Sequence, residues 1–437
     1  MPTQSKKLNI GIIGGSIAGL ASAILISKTG ANVTILERSE NPLTGRGVGN
    51  ALPEPLVNQC IDLGLFDKNI PHLKAASRTF KIKDGVNPEG KTIWTQPFSL
   101  LALNWADIYA NLRKRIPDEH YHSGQEVVSI IQDDVACHVK TKKGDQFTFD
   151  HVIAADGINS NIRKNVFPDI SPQYCDYVVW RGLLNLNEQE AEAHFKQNAH
   201  YYVFPKGHLL IYCIPDPHQK GDVLMNWVLY EDRKGKPLNE LLIDKNGEKH
   251  DVSLPPGSLS ESHIRYLNDL ASSVLPPSAA NIIRNTKEPF LQGIFDLQMP
   301  SFIKDRISFI GDAATVLRPH SSSGVAKALQ SSITLSKVFE GASLAQWNEE
   351  QLALTAQQTG IAKAIGEGMV TDPPNWELMD QNSTAQWWDH LMKGRKWYAI
   401  PVEENPKTLT PYSDHQQGVK NEGLTRSEKP RTFKAKL

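Results

Sequence analysis

Several features that would place this chain in a special class are scarce or missing. No uninterrupted apolar run reaches the length that spans a bilayer. Only four cysteines occur in 437 residues (Cys60, Cys137, Cys175 and Cys213), and none forms a CxxC pair. That excludes a disulfide scaffold and suits free thiols in a reducing compartment, each a small buried hydrophobe. Charge is nearly balanced, with 47 Lys+Arg against 48 Asp+Glu, so nothing favours nucleic acid or an anionic membrane. There is no internal repeat. Lys6 and Lys7 ahead of an apolar segment mimic a signal peptide, but the glycines and Ser16 interrupt it. What remains is a cytoplasmic globular protein, long enough for two joined domains.

The informative residues begin at Asn9. Ile10 to Ile13 are apolar and read as a buried strand. Gly14, Gly15, Ser16 and Gly19 give a tight turn, Leu20 to Thr29 reads as a helix, and Val33 to Leu36 as a second strand. The helix start at Ser16, Ile17 and Ala18 offers free N–H groups and a positive dipole end to a pyrophosphate. Glu37, followed by Arg38, closes the second strand where a carboxylate can bind ribose hydroxyls. Ser16 stands at the second glycine of the G-x-G-x-x-G fingerprint; it allows backbone approach to phosphate and adds a hydroxyl. The unit predicts adenine-dinucleotide binding.

Two further segments repeat the plan of strand, turn and helix. His151 to Ala155 ends at Asp156-Gly157 with a helical continuation over 159–166, where Asp156 can hold a loop or a dinucleotide and Arg163 can pair with phosphate. Arg306 to Ile310 leads through Gly311 to Asp312, placed to accept hydrogen bonds from sugar-alcohol hydroxyls. Pro319 rigidifies the next loop, and Ser321 to Gly324 open a helix whose N-terminus can face the electron-rich N1–C2=O edge of a flavin. Elsewhere the patterns predict helices over 53–65, 105–116, 324–339 and 344–366. Strands are expected over 78–98 with an Asp84-Gly85 turn, over 127–149, and over 177–184 and 200–230. The segment 233–259 reads as a loop-heavy connection, and the polar tail 401–437 as flexible. Trp376, Trp387, Trp388 and Trp397 cluster near the C-terminus, to pack on the body, to cap an aromatic pocket or to form a dimer contact.

The three motifs, in this order and spacing, resemble those of the class A FAD-dependent aromatic monooxygenases. The stretches 43–49, Trp180-Arg181-Gly182 and 318–328 resemble the 2,6-dihydroxypyridine 3-monooxygenase-like branch. The resemblance implies an α/β fold, α+β overall: a Rossmann-like FAD-binding domain (1–75, 100–180 and 290–345), an inserted mixed β-sheet substrate domain (76–99 and 181–289), and a C-terminal helical segment (346–400). It implies FAD as cofactor, NADPH or NADH as transient electron donor, and a monomer or homodimer. The implied reaction hydroxylates an electron-rich aromatic or N-heteroaromatic small molecule with O2, through a flavin C4a-hydroperoxide. Another flavin oxidation (dehydrogenation, epoxidation or oxidative decarboxylation), or a non-catalytic flavin-bound interaction protein, shares the same motifs.

The implied cofactor residues are Gly14, Gly15, Ser16, Ile17, Ala18, Gly19, Glu37, Arg38, Arg46, Asp156, Gly157, Asp312, Pro319, Ser323, Gly324, Val325 and Ala326. His320, next to Pro319, is the candidate for acid–base work at the reactive flavin edge, with a hydrogen bond inside its own loop as the alternative. Tyr202, His208 and Tyr212 are candidates for the floor of the substrate pocket. No metal-ligand spacing is present.

Overall fold

The computed structural model describes residues 7–43, 48–186, 198–219, 222–393 and 395. Its first sheet has six strands in the order Ile303–Lys304, Ile307–Phe309, His151–Ala154, Asn9–Ile13, Asn32–Leu36, Tyr121–His122. All pairings are parallel except the hairpin Ile303–Lys304 with Ile307–Phe309. Ile10, Ile12, Val152, Ile153 and Phe309 are fully enclosed, as near-continuous apolar strands of a sheet covered on both faces must be. The three strands that carry the motifs therefore lie side by side, and their carboxyl ends bring Gly14, Asp156 and Asp312 to one edge. Helix Ile17–Ser27 packs against helix Ser323–Phe339, where Ser332 Oγ donates to the Ala18 carbonyl at 3.0 Å.

The second sheet is mixed, as expected. Its path runs Ser253–Leu254, Phe290–Gln298, Gln173–Leu186, Val223–Asp232, Gly207–Pro215, Asn198–Phe204, Leu73–Ile82, Lys91–Asn104, Gly49–Leu52. Only Asn198–Phe204 with Leu73–Ile82 is parallel. The sheet reaches into 49–52, 100–104 and 173–180, stretches the sequence reading grouped with the dinucleotide unit. Both faces are covered. Val178, Trp180, Tyr202 and Trp227 pack toward helices Glu261–Val274 and Pro277–Arg284. Tyr177, Val179, Val228 and Tyr230 pack toward helix Leu344–Gly366 and the C-terminal helix Gln381–Met392. A third sheet joins Val127–Gln132, Cys137–Thr141 and Gln146–Phe149.

The expected helix over 53–65 is shorter, Glu54–Asp62. Asp84 does not make a two-residue hairpin; its carboxylate accepts from the Val86 and Asn87 N–H groups inside a longer connection. Trp376, Trp387 and Trp388 pack onto the body, with Trp376 edge-on to Trp387 at 4.9 Å and Trp388 5.8 Å from Trp94. Trp397, Arg46 and the tail 401–437 lie outside the described residues. The four cysteines are free; Cys60, Cys137 and Cys213 are buried and Cys175 half-buried. Burial pushes the Cys137 thiol up to about 11 and Cys175 to about 12, away from thiolate chemistry.

Candidate functional site: two joined clefts at the strand ends

Two clefts meet above the carboxyl ends of the parallel strands. The first, about 260 Å³, is lined by Gly14, Glu37, Arg38 and Asp156 among others. The second, about 350 Å³, runs from Ile17 and Ala18 to the second sheet at Arg181, Tyr212 and Tyr230. Ser16, Ala155, Gly157 and Asp312 line both, so together they form one elongated site.

Sequence explains the narrow end. Gly14 has φ +108°, a conformation L side chains rarely adopt, and a Cβ there would overlap the Ala155 carbonyl oxygen. At Gly19 a Cβ would strike the Gly14 carbonyl, so this glycine sets how closely helix and strand approach. The buried Glu37 carboxylate accepts from Gly15 N–H at 2.7 Å and Ser39 N–H at 2.8 Å, which orients it at the end of its strand.

Asp156 accepts from Ile162 N–H at 3.2 Å through Oδ2, while its Oδ1 is buried without a partner. Burial raises the pKa of this carboxyl, opposed by Ser160, Ile162 and Arg163. Arg163 does not reach out to a phosphate. It is fully buried, donating to the Ala313 carbonyl at 2.8 Å and to the Ile158 carbonyl. It ties the Asp156 turn to the Asp312 turn. Asp312 is half-exposed and accepts from buried Lys327 at 3.0 Å.

The residues fit the dinucleotide the motifs predict. Helices Ile17–Ser27 and Ser323–Phe339 start at Ser16 and Ser322, and neither serine side chain caps its helix, so the first-turn N–H groups are left for an outside acceptor. Gly157 and Gly324 line the site, and a Cβ at either would meet no protein atom within 4 Å; it would stand in the cleft. With the orphaned Asp156 Oδ1, these residues fit an extended dinucleotide such as FAD.

Not every expected contact lines the clefts. Gly15 and Gly19 shape the turn from behind. Ser323 and Ala326 are buried; Ser323 Oγ donates to the Ser321 carbonyl. Pro319, Gly324 and Val325 do line the second cleft. Tyr212 lines it too, its hydroxyl packed against Gly49. Tyr202 does not: it is buried on the opposite face of the sheet, and its neighbour Tyr201 faces the site side. Asn50, Trp105, Arg181 and Tyr230, which sequence reasoning missed, complete the wall. Only Trp180-Arg181-Gly182 gave a signal for any of them, and as a resemblance rather than a role.

His320 sits just behind the main cleft. Its Nε2 lies 2.9 Å from the Tyr177 hydroxyl, a partner from the second sheet rather than its own loop. Its ring lies tilted, 4.3 Å from Tyr230 and 5.4 Å from His208. Burial, with His208 and Arg318 nearby, drives its pKa well below the ordinary value; burial, only partly opposed by the Met369 backbone, takes His208 down to about 3. Both are therefore neutral imidazoles in the folded chain. Because these folded values are depressed, their contribution to stability is fully present above the unfolded value of about 6.5 and is lost as pH falls below it. The cofactor-free protein should lose about 1.4 kcal/mol per pH unit per such imidazole over that acid range. Urea unfolding across that range should show a shallower acid limb for His208→Phe than for the wild type.

Comparisons with known proteins agree with this geometry. A family model described as FAD binding domain-like matches residues 174–296, most of the second sheet. The 2,6-dihydroxypyridine 3-monooxygenase of Paenarthrobacter nicotinovorans is 29% identical over 351 residues, covering 78% of this chain and 87% of its own. A salicylate hydroxylase of Pseudomonas putida is 23% identical over 358 residues, 78% of each chain. Among solved structures, 2,6-dihydroxypyridine-3-hydroxylase from Arthrobacter nicotinovorans superposes with a TM-score of 0.78 at 26% identity, over 86% of this chain and 97% of its own. Klebsiella pneumoniae HpxO, complexed with FAD and uric acid, shares the fold with a TM-score of 0.66 at 16% identity, over 88% and 93% of the two chains. Among the described residues no helix is long and apolar enough to cross a membrane.

Proposed function

We propose that this chain, which belongs with the class A FAD-dependent aromatic monooxygenases, hydroxylates an electron-rich aromatic or N-heteroaromatic small molecule using NAD(P)H and O2. One observation carries the reading: a continuous site runs from an uncapped helix N-terminus beside Glu37 to an aromatic wall at Tyr212 and Tyr230. Bound FAD supplies the electron transfer and oxygen activation that side chains cannot. The first-helix N–H groups and Glu37 would hold its adenosine diphosphate end, Asp312 its sugar-alcohol chain, and Pro319, Gly324 and Val325 its ring. The protein's own task is to orient the substrate ring and keep water away from it. Likeness to the 2,6-dihydroxypyridine enzyme makes hydroxypyridines the first substrates to try. The four free thiols support a cytoplasmic location.

Arg181 has the clearest chemical role. Its Nη1 donates to Gln292 Oε1 at 3.1 Å, its Nε is buried without a partner, and no carboxylate pairs with it among the described residues. A cation so placed stabilises negative charge that develops on the flavin ring or on a substrate oxygen. Arg181→Gln should keep FAD bound and lower kcat/KM by about ten- to a hundredfold, as read in steady-state NAD(P)H oxidation. The function itself is tested with a panel of hydroxylated aromatics and pyridines, scoring accelerated NAD(P)H consumption and oxygen-18 in the product. Turnover without incorporated oxygen would replace hydroxylation by dehydrogenation. No turnover with any ring would favour a flavin-bound interaction protein.

A further inference from the structure

The narrow cleft poses an electrostatic problem. Four carboxylates line it, those of Glu37, Glu126, Asp156 and Asp312, against one cation among the described residues, Arg38. Yet the dinucleotide that the turns predict carries a diphosphate, and like charges at close range repel. Three of the four carboxylates are answered close by. Glu37 accepts from two backbone N–H groups, Asp156 has the Arg163 guanidinium beside it, and Glu126 pairs with Lys142 at 3.2 Å. Asp312 is the fourth, and it lines both clefts where they join.

Its counterpart is Lys327. This side chain is 3% exposed, lines neither cleft, and sits in the second turn of helix Ser323–Phe339. Its Nζ donates to Asp312 Oδ1 at 3.0 Å, to the Gly311 carbonyl at 3.2 Å and to the Thr315 carbonyl. An ammonium has three donors, so all are engaged inside the protein and none is left for a ligand. Lys327 can therefore act on a ligand only through Asp312. It holds Oδ1, while Oδ2 meets no protein donor among the described residues and is left for the cleft. It also sets a positive charge behind that carboxylate, and it binds the turn at Gly311 to the helix whose N-terminus borders the same cleft.

We propose that Lys327 is a positioning residue for FAD: it aims Asp312 at the sugar-alcohol chain and cancels the charge that this carboxylate would otherwise present to the diphosphate. The pair then supplies an acceptor without adding net charge to the cleft. This rests on the cofactor site proposed above and names the residue that makes one of its carboxylates compatible with an anionic ligand.

The test titrates FAD into the flavin-free wild type, Lys327→Met, Lys327→Gln, Asp312→Asn and the two double variants, following the quenching of flavin fluorescence. Lys327→Met should weaken FAD binding by about ten- to a hundredfold. Lys327→Gln keeps donors for the two carbonyls but no charge, and should lose at least about tenfold. Asp312→Asn retains an acceptor oxygen and should alone cost less than about tenfold. Adding Asp312→Asn to either lysine variant removes the stranded charge, so each double variant should bind FAD about tenfold more tightly than its parent. A lysine that only braced the turn would give losses that add. Wild-type affinity in both lysine variants, or double variants no better than their parents in affinity or in folding, overturns the proposal. If the wild type takes up FAD and only the rescue fails, the cofactor site stands and Lys327 is a brace. If the wild type takes up no FAD, the site itself falls.

Discussion

Gly14→Ala should yield a chain that cannot hold FAD. The backbone at this residue has φ +108°, so any side chain is strained there, and the new methyl would overlap the Ala155 carbonyl oxygen. That carbonyl cannot readily yield, because Ala155 N–H donates to the Ile13 carbonyl at 2.8 Å and the two strands pair in register. Gly14 N–H is itself engaged by the Leu36 carbonyl at 2.9 Å. Strain of about 1–3 kcal/mol and overpacking of about the same size act together on the turn that presents the helix N-terminus. FAD affinity should fall by at least about a hundredfold, a drop equivalent to about 3 kcal/mol. The flavin-to-protein ratio after desalting reads it directly. A variant that purifies with stoichiometric flavin would contradict the role assigned to this turn.

The second large effect is expected at Arg163. Replacement by Met keeps much of the bulk but removes donors from two enclosed carbonyls, those of Ala313 and Ile158. Each orphaned carbonyl costs about 1–3 kcal/mol, and the buried Asp156 carboxyl loses its favourable cation. The melting temperature of the FAD-free chain should drop by at least about 5 °C. Measuring without cofactor is the discriminating choice. A residue whose work was to grip a phosphate would leave the empty protein as stable as before and weaken only FAD binding.

Much of the first sheet was legible because its strands are short apolar runs ended by Gly and Asp. Asn9–Ile13, Asn32–Leu36, His151–Ala154 and Ile307–Phe309 all fall where the patterns place them. Helix Leu344–Gly366 matches at both ends. The second sheet was harder. It is covered on both faces, so apolar and aromatic residues occur at successive positions and period two carries no polar mark. Tyr201 and Tyr202 look alike in sequence, yet one residue of register puts only Tyr201 on the site side. Arg163 misled for a related reason: a cation after an Asp-Gly turn looks like an anion ligand, and only the fold brings two backbone carbonyls to it. Helix Glu261–Val274 did carry a start signal, Ser260 in a reciprocal cap with His263, but its pattern drew no assignment. Tyr230 has no local signature and Arg181 only the Trp180-Arg181-Gly182 resemblance, since only sheet pairing sets them beside the turn from Pro319.

The central strand Asn9–Ile13 has consequences for how the molecule comes into being. Its partner on one side, Asn32–Leu36, emerges almost at once, but Ile10 pairs with His151 on the other, and that strand in turn waits for Ile307. During synthesis the platform therefore stays unfinished until most of the chain has left the ribosome. Such distant pairings slow folding and expose an open sheet edge in the meantime. Cofactor capture is then a late event, and a nascent chain stopped short of Phe309 would lack the strand that delivers Asp312.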